Sequence, residues 1–122
     1  MNTQPTMTIE VPMPASLLDK CTGQPMLLWD ILPAEQKKKI EAFVVDHLEN
    51  QDGAPQLDNI GMTKFRYDET DRNGSFRLHF YINRRFCCSD TESSRSDYLD
   101  FHFSYEQETV RATATYLDWN VL

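Results

Sequence analysis

The feature that most constrains the fold of this chain is a two-residue alternation of apolar and polar side chains in its second half. Successive side chains of a strand point to opposite faces of a sheet, so each alternating run predicts a strand with one buried and one solvated face. The runs are residues 60–68, 76–86, 99–105 and 110–116. A turn signal at 71–74 and a polar loop predicted at 89–97 separate them, which favours a four-stranded antiparallel meander.

A single long helix is predicted for residues 33–50, ahead of the strands. Pro33 suits a first helical turn, and Glu35 places negative charge near the N-terminus of the helix. One apolar stripe follows at helical spacing: Ile40, Phe43, Val44 and Leu48. Asn50 and the Gly53 that follows indicate where the helix stops. The expected fold class is therefore α+β, with one long helix in the N-terminal half packed on a four- to five-stranded antiparallel meander sheet.

The segment before this helix is expected to contribute less to the core. Residues 1–14 form a flexible arm or an edge strand, because residues 8–11 alternate and Pro12 then ends the alternation. Residues 26–32 fit a short helix or turn, and residues 15–122 are expected to form a single domain. This order resembles the wrapped sheet of cystatins by topology only, and no cystatin inhibitory motif is visible, so it implies no activity. An NTF2-like cone with a deep pocket is the alternative architecture.

Charge and composition exclude several classes of function. The 122-residue chain has a formal net charge of −7, which argues against a general nucleic-acid or anionic-membrane binder. It contains no apolar run near the roughly 20 residues that cross a bilayer, and the N-terminus shows no secretory signal pattern. Three cysteines without CxxC spacing indicate reduced thiols. These features predict a cytoplasmic protein with no membrane partner.

The strand register can be predicted by matching apolar faces. Pairing Ile82 with Phe103 would place Arg85 opposite Asp100, an attractive cross-strand pair. On the next strand pair, Phe103 would lie opposite Ala112, and Phe101 would lie opposite Ala114. The small alanines would leave room for the helix to approach the sheet.

One helix covers only one side of such a sheet, so the other side should be open. That side would carry five Lys or Arg side chains against one acid, together with tyrosines and histidines, which is typical of protein interfaces. The candidate partner-binding residues are Arg66, Arg77, His79, Tyr81, Arg85, Tyr98, His102 and Arg111. They favour a non-catalytic interaction domain, acting as a homodimer or binding a protein partner. An ordinary solvated face and, less favoured, a platform for single-stranded nucleic acid are the alternatives.

A small-molecule binder or enzyme is the remaining alternative, and the sequence gives it little support. A pocket between helix and sheet would be lined by Tyr67, Phe80, Tyr105 and Tyr116. Cys87, His102 and Asp100 could be assembled as a nucleophilic set, but no glycine-rich or oxyanion-hole loop accompanies them. No catalytic residue and no cofactor is therefore predicted.

No metal site is predicted either. The predicted register separates His79 from His102 by roughly 13 Å at about 3.3 Å per residue, too far to share one ion. Cys87 and Cys88 are adjacent on a strand and would point to opposite faces. A buried structural thiol is favoured there over a redox or metal role.

Overall fold

The sheet and helices follow one another in a simple order. The computed structural model describes residues 5–48, 50–86 and 91–116. In chain order the elements are β1 (Thr6–Pro12), α1 (Ala15–Gly23), α2 (Met26–Ile31), α3 (Ala34–Asp46), β2 (Gln56–Asp68), β3 (Asn73–Phe86), β4 (Thr91–Glu106) and β5 (Thr109–Thr115). Within the described residues, the five strands form one open antiparallel sheet in the order β1-β5-β4-β3-β2. An α+β architecture with an antiparallel sheet is therefore confirmed.

The prediction of one long helix is wrong, because the helical part consists of three short helices. Pro14, Pro25 and Pro33 each stand at the residue before a helix begins. A proline lacks the N–H that a continuous helix needs and disfavours the helical conformation in the residue before it, so these prolines divide the segment. The last of the three, α3, also ends at Asp46 rather than at residue 50.

Side chains beyond the end of α3 explain why it stops early. The Nδ1 atom of His47 lies 2.7 Å from the carbonyl oxygen of Phe43, within hydrogen-bond distance. The side-chain amide of Gln51 donates to the carbonyl oxygens of Val45 and Leu48, at 2.7 and 2.8 Å. The last carbonyl groups of a helix have no partner within it, so these contacts replace the bonds that a longer helix would supply.

The register between β3 and β4 differs from the prediction by eight residues. Ile82 pairs with Arg95 instead of Phe103, and Phe76 pairs with Phe101. The error arose because residues 91–97, predicted as loop, extend β4 instead. An even displacement keeps every side chain on its predicted face, so the separation into two faces survives. The predicted β4–β5 pairs of Phe101 with Ala114 and Phe103 with Ala112 are confirmed.

Two bulges interrupt β2 and change which of its residues face the core. The register shifts between Asp58 and Gly61 and again between Thr63 and Arg66. The second bulge contains Lys64 with a φ of 56°, and it leaves Thr63 exposed while Phe65 is buried. The alternation predicted for residues 60–68 puts Thr63 on the same side as Phe65, toward the core, so this part of the prediction is wrong. An inserted residue reverses the alternation, which a strict two-residue period cannot show.

The close approach of β2 and β3 beside this bulge explains why residue 74 is a glycine. A Cβ atom at Gly74 would overlap the carbonyl oxygen of Arg66 and the ring of Phe103. A glycine is therefore required where the bulged strand β2 passes β3.

The core lies entirely on one side of the sheet. Leu78, Phe80, Leu99 and Phe101 project from the central strands and are almost completely buried. The helices contribute Leu18, Leu28, Ile40 and Val44 to the same cluster. Burying each such side chain stabilises the fold by about 1.5–3 kcal/mol, so these contacts hold the helices against the sheet.

Helix α3 reaches both edges of the sheet. The Lys39 ammonium group donates to the carbonyl oxygen of Thr8 in β1 at 2.7 Å. The backbone N–H of Leu57 in β2 donates to the Glu41 carboxylate at 3.3 Å. The sheet therefore curves around the helical layer, with its inner face covered. None of the described helices is both long and apolar enough to cross a bilayer.

A buried carboxyl group links β4 to the end of the described chain. Asp97 was predicted to lie in a solvated loop, but it is buried in β4, and Tyr116 donates its hydroxyl proton to Asp97 Oδ2 at 2.7 Å. The backbone N–H of Tyr98 also donates to Asp97, at 2.8 Å. Buried polar groups of this kind are costly to leave without a donor.

We expect Tyr116→Phe to lower the free energy of unfolding by about 1–3 kcal/mol, because Asp97 loses a buried hydrogen-bond donor while the ring is kept. Urea denaturation at neutral pH measures the change. Tyr81→Phe is the matched control, since the Tyr81 side chain is exposed on the sheet surface, and it should change stability by less than about 0.5 kcal/mol. Equal effects of the two substitutions would contradict this account of Asp97.

Candidate functional site

The side of the sheet opposite the helices, here called the outer face, carries all eight residues that the sequence pointed to. Its central strand β3 contributes Arg77, His79, Tyr81 and Arg85, and the other four come from β2, β4 and β5. All of them are exposed to solvent except Arg77, which is half-buried. No helix among the described residues packs on this face. Whether the eight residues bind a partner stays a prediction.

The centre of the outer face is a preorganised cluster around Arg77. Its guanidinium group forms two hydrogen bonds with the Asp100 carboxylate, from Nε to Oδ1 at 2.7 Å and from Nη2 to Oδ2 at 3.0 Å. The same guanidinium carbon lies 3.9 Å from the centre of the Tyr98 ring. A bidentate ion pair combined with a cation–π contact fixes the Arg77 side chain in one orientation.

His79 extends this cluster towards the β2 edge. It lies opposite Tyr98 on one side and opposite Gly61 on the other. A Cβ atom at Gly61 would overlap the imidazole ring of His79, so the ring lies directly over the glycine backbone. Tyr81 follows on the same strand and is 42% exposed, while Tyr98 is 36% exposed. The centre therefore presents aromatic area together with hydrogen-bonding groups.

The outer face is not basic, which corrects the charge count made from the sequence. The true register and the presence of β1 add Glu10, Asp58 and Glu92 to it. Arg85 pairs with Glu92 at 3.1 Å, and Arg111 pairs with Glu10 at 3.5 Å. The predicted pair between Arg85 and Asp100 is absent because Asp100 lies opposite Arg77. Three arginines of the face are thus compensated within the molecule.

A shallow cleft opens at one corner of the outer face. Its volume is about 520 Å³, and its lining includes Arg66, Asp68, Ser75 and His102. Sequence reasoning identified Arg66 and His102 but not Ser75, because a serine on an exposed strand carries no distinguishing signal.

Among the described residues, the side chains predicted to line a pocket surround no open space. Tyr116 and Phe80 are fully buried, and the Tyr105 hydroxyl donates to the carbonyl oxygen of Met13 at 2.6 Å. The Tyr67 ring packs edge-on against Tyr105, with 6.0 Å between the ring centres. These four side chains, predicted as the lining of a pocket, are packed against one another or against the core.

The candidate metal ligands and thiols also form no site among the described residues. In the described part of the chain, no three His, Cys, Asp or Glu side chains are placed to hold one ion. His79 and His102 lie four residues apart in the register, roughly 13 Å. Cys87 and Cys88 lie outside the described residues. Burial raises the pKa of the Cys21 thiol, which disfavours a reactive thiolate at that position.

Comparison of the chain with family models, with curated proteins and with solved structures gives no match. The cystatin-type and NTF2-like layouts therefore gain no support from known proteins.

The ion pair at the centre of the outer face predicts a pH dependence of stability. The hydrogen bonds from Arg77, and then the positive charges of Arg77, Lys64 and His102, lower the pKa of Asp100 below its ordinary value, although partial burial opposes them. A carboxyl whose pKa is lower in the folded state stabilises the fold above its unfolded pKa. That stabilisation is lost as the pH falls through the folded pKa.

We expect Asp100→Asn to reduce the stability lost between pH 7 and pH 3 by about 1 kcal/mol or less, since both partners are partly exposed. Urea denaturation at the two pH values measures this difference. Glu106→Gln is the control, because Glu106 makes no ion pair with any described residue, and it should leave the pH dependence unchanged. A pH dependence identical in wild type and Asp100→Asn would refute the assignment.

Proposed function

We propose that this chain is a non-catalytic interaction domain that binds a partner protein through the outer face of its sheet. The observation that carries the proposal is an uncovered sheet face whose centre combines a fixed arginine with two exposed tyrosines, Arg77 with Tyr81 and Tyr98. Tyrosine and arginine are the residue types that contribute most binding energy at protein interfaces.

The size of the outer face supports the proposal. Strand β3 has 14 residues, and the sheet has five described strands. At about 3.3 Å per residue and about 4.8 Å between strands, the face covers on the order of 1,000 Å². A standard interface buries about 800 Å² per partner, so the outer face alone is large enough.

The preorganisation of the central cluster also supports it. Immobilising a flexible side chain at an interface costs about 0.5–1.5 kcal/mol. Arg77 is already held by Asp100 and Tyr98 in the free protein, so most of that cost is met during folding. The cluster can therefore bind a partner without a large loss of side-chain entropy.

Both edges of the sheet carry features that hinder pairing with another chain, which favours the face as the site of association. On β1, the Lys39 ammonium group donates a hydrogen bond to the carbonyl oxygen of Thr8. On β2, Glu41 accepts the N–H of Leu57, and the Met26 sulfur accepts the N–H of Met62 at 3.1 Å. Capped backbone groups and bulges are the features that prevent a sheet edge from pairing with another chain.

The charges favour a different protein over a second copy of this chain. Three outer-face carboxylates are already engaged: Asp100 by Arg77, Glu92 by Arg85 and Glu10 by Arg111. In a second copy these three acids would not be free to pair with cations of the first, and each copy carries a net charge of −7. The near-balance of charge on the face also gives little support to nucleic-acid binding, which depends on uncompensated cations. The proposal keeps the cytoplasmic location, where the Cys21 thiol stays reduced.

We expect Tyr81→Glu to weaken partner binding at least about tenfold, because it places a charge at the centre of the interface. The wild-type chain captures its partner from a lysate of the source cells, and the captured protein is then purified and titrated by calorimetry against wild type and variant. Lys38→Glu, an exposed change on the helical side, is the control and should bind as wild type does.

Light scattering after size-exclusion chromatography runs in parallel on the same three proteins. If the wild type is a dimer and only Tyr81→Glu dissociates it, the partner is a second copy of this chain and not a different protein. A monomer that captures nothing reproducible, or a partner that binds the wild type and Tyr81→Glu equally, would refute the proposal.

A further inference from the structure

One corner of the outer face holds two cations, Arg66 and Lys64, that form no ion pair with any described residue. Arg77, Arg85 and Arg111 each pair with a carboxylate of the same face. Within the described residues, by contrast, neither Arg66 nor Lys64 makes an ion pair or a side-chain hydrogen bond. Both are exposed. Cations without an ion-pair partner can attract an outside anion even on a molecule with a net charge of −7.

The register arranges the donors of this corner in a row. Arg66 lies opposite Ser75, and Ser75 lies opposite His102, so the three occupy neighbouring strands. Neighbouring strands are about 4.8 Å apart, and the three side chains share the outer face. They line the cleft of about 520 Å³ described above. A guanidinium group, a hydroxyl and an imidazole therefore converge on one open space.

The backbone builds this space. The bulge between Thr63 and Arg66 brings Lys64 and Arg66 to the surface in close succession. Gly74 borders the cleft, and a larger residue there would meet the Arg66 carbonyl oxygen and the Phe103 ring. The positive charges of Lys64 and His102 are close enough to Asp100 to contribute, after Arg77, to lowering its pKa. The cations thus lie together at one corner, next to the central cluster.

We propose that this corner is a carboxylate-binding subsite of the interface, which receives an Asp or Glu side chain of the partner protein. The inference rests on the proposed function and adds the chemical group that the partner presents. The planar guanidinium of Arg66 can hold both oxygens of a carboxylate, and Ser75 and His102 can donate to it from the neighbouring strands. Asp68 lines the same cleft and Asp100 lies beside it, so a singly charged carboxylate suits the corner better than a phosphate dianion.

The test is an NMR titration of the ¹⁵N-labelled protein with the capped peptide acetyl-Gly-Glu-Gly-amide, at constant ionic strength. We expect saturable shifts at Ser75 and His102, and no such shifts with the Gln version of the peptide. Arg66→Gln should weaken binding at least about tenfold, which corresponds to about 1.4 kcal/mol. Arg85→Gln removes the same charge from the far end of the face and should change the affinity by less than about twofold.

Three results would overturn the subsite. These are shifts that do not saturate, equal binding of the Glu and Gln peptides, and equal affinity of wild type and Arg66→Gln. Inorganic phosphate is titrated as a separate arm, and tighter binding of phosphate than of the Glu peptide would also overturn the carboxylate assignment. If Arg66→Gln loses the dispersed spectrum of the wild type, Arg66→Lys replaces it. Arg66→Lys keeps the positive charge but lacks the planar guanidinium group that can hold both carboxylate oxygens, so it should still bind more weakly than wild type.

These outcomes are separate from the test of the proposed function. The peptide titration needs no partner protein, whereas the Tyr81→Glu experiment does not involve the Arg66 corner. A partner that is lost in Tyr81→Glu but binds Arg66→Gln as tightly as wild type would leave the interface standing and remove the subsite.

Discussion

The pairing of β3 with β4 is the interaction on which the rest of this structure depends. Fourteen consecutive residue pairs, from Asn73 with Ser104 to Phe86 with Thr91, join the two central strands. They place Phe76 against Phe101, with 4.9 Å between the stacked rings, and Leu78 against Leu99 on the inner face. The same register places Arg77 against Asp100 on the other side. Core packing and the outer-face cluster are therefore two consequences of one alignment.

The helical layer determines which surfaces of the sheet are covered. Three short helices cover the inner face, and α3 caps backbone groups at both edges of the sheet. With one face filled and backbone groups capped at both edges, the outer face is the uncovered part of the sheet, and the proposed interface is placed there. Three internal ion pairs neutralise much of its charge. In the proposed interface, specificity would therefore come from the placed aromatic rings and from cations without an ion-pair partner, such as Arg66.

Much of the fold could be predicted from the sequence, but the details of the site could not. The alternation around Phe80 assigned side chains to the correct face even though the register was displaced by eight residues, since an even displacement preserves the face. The stripe from Ile40 to Val44 and the proline at Pro33 identified α3, while the helix α1 and the early end of α3 at Asp46 were missed. The β2 bulge at Lys64 left no local signal, because its geometry depends on the neighbouring strand.

The sequence by itself determined the face of most side chains, because the two-residue and helical periods depend only on local backbone geometry. Thr63 and Asp97 are the exceptions, at a bulge and in an unexpected extension of β4. Only the tertiary structure decided the partners within the outer face: Arg77 with Asp100 instead of Arg85 with Asp100, and Ser75 between Arg66 and His102. Cross-strand neighbours depend on where the turns fall and how far each strand extends. Those are set by the balance of packing and hydrogen bonding over the whole sheet.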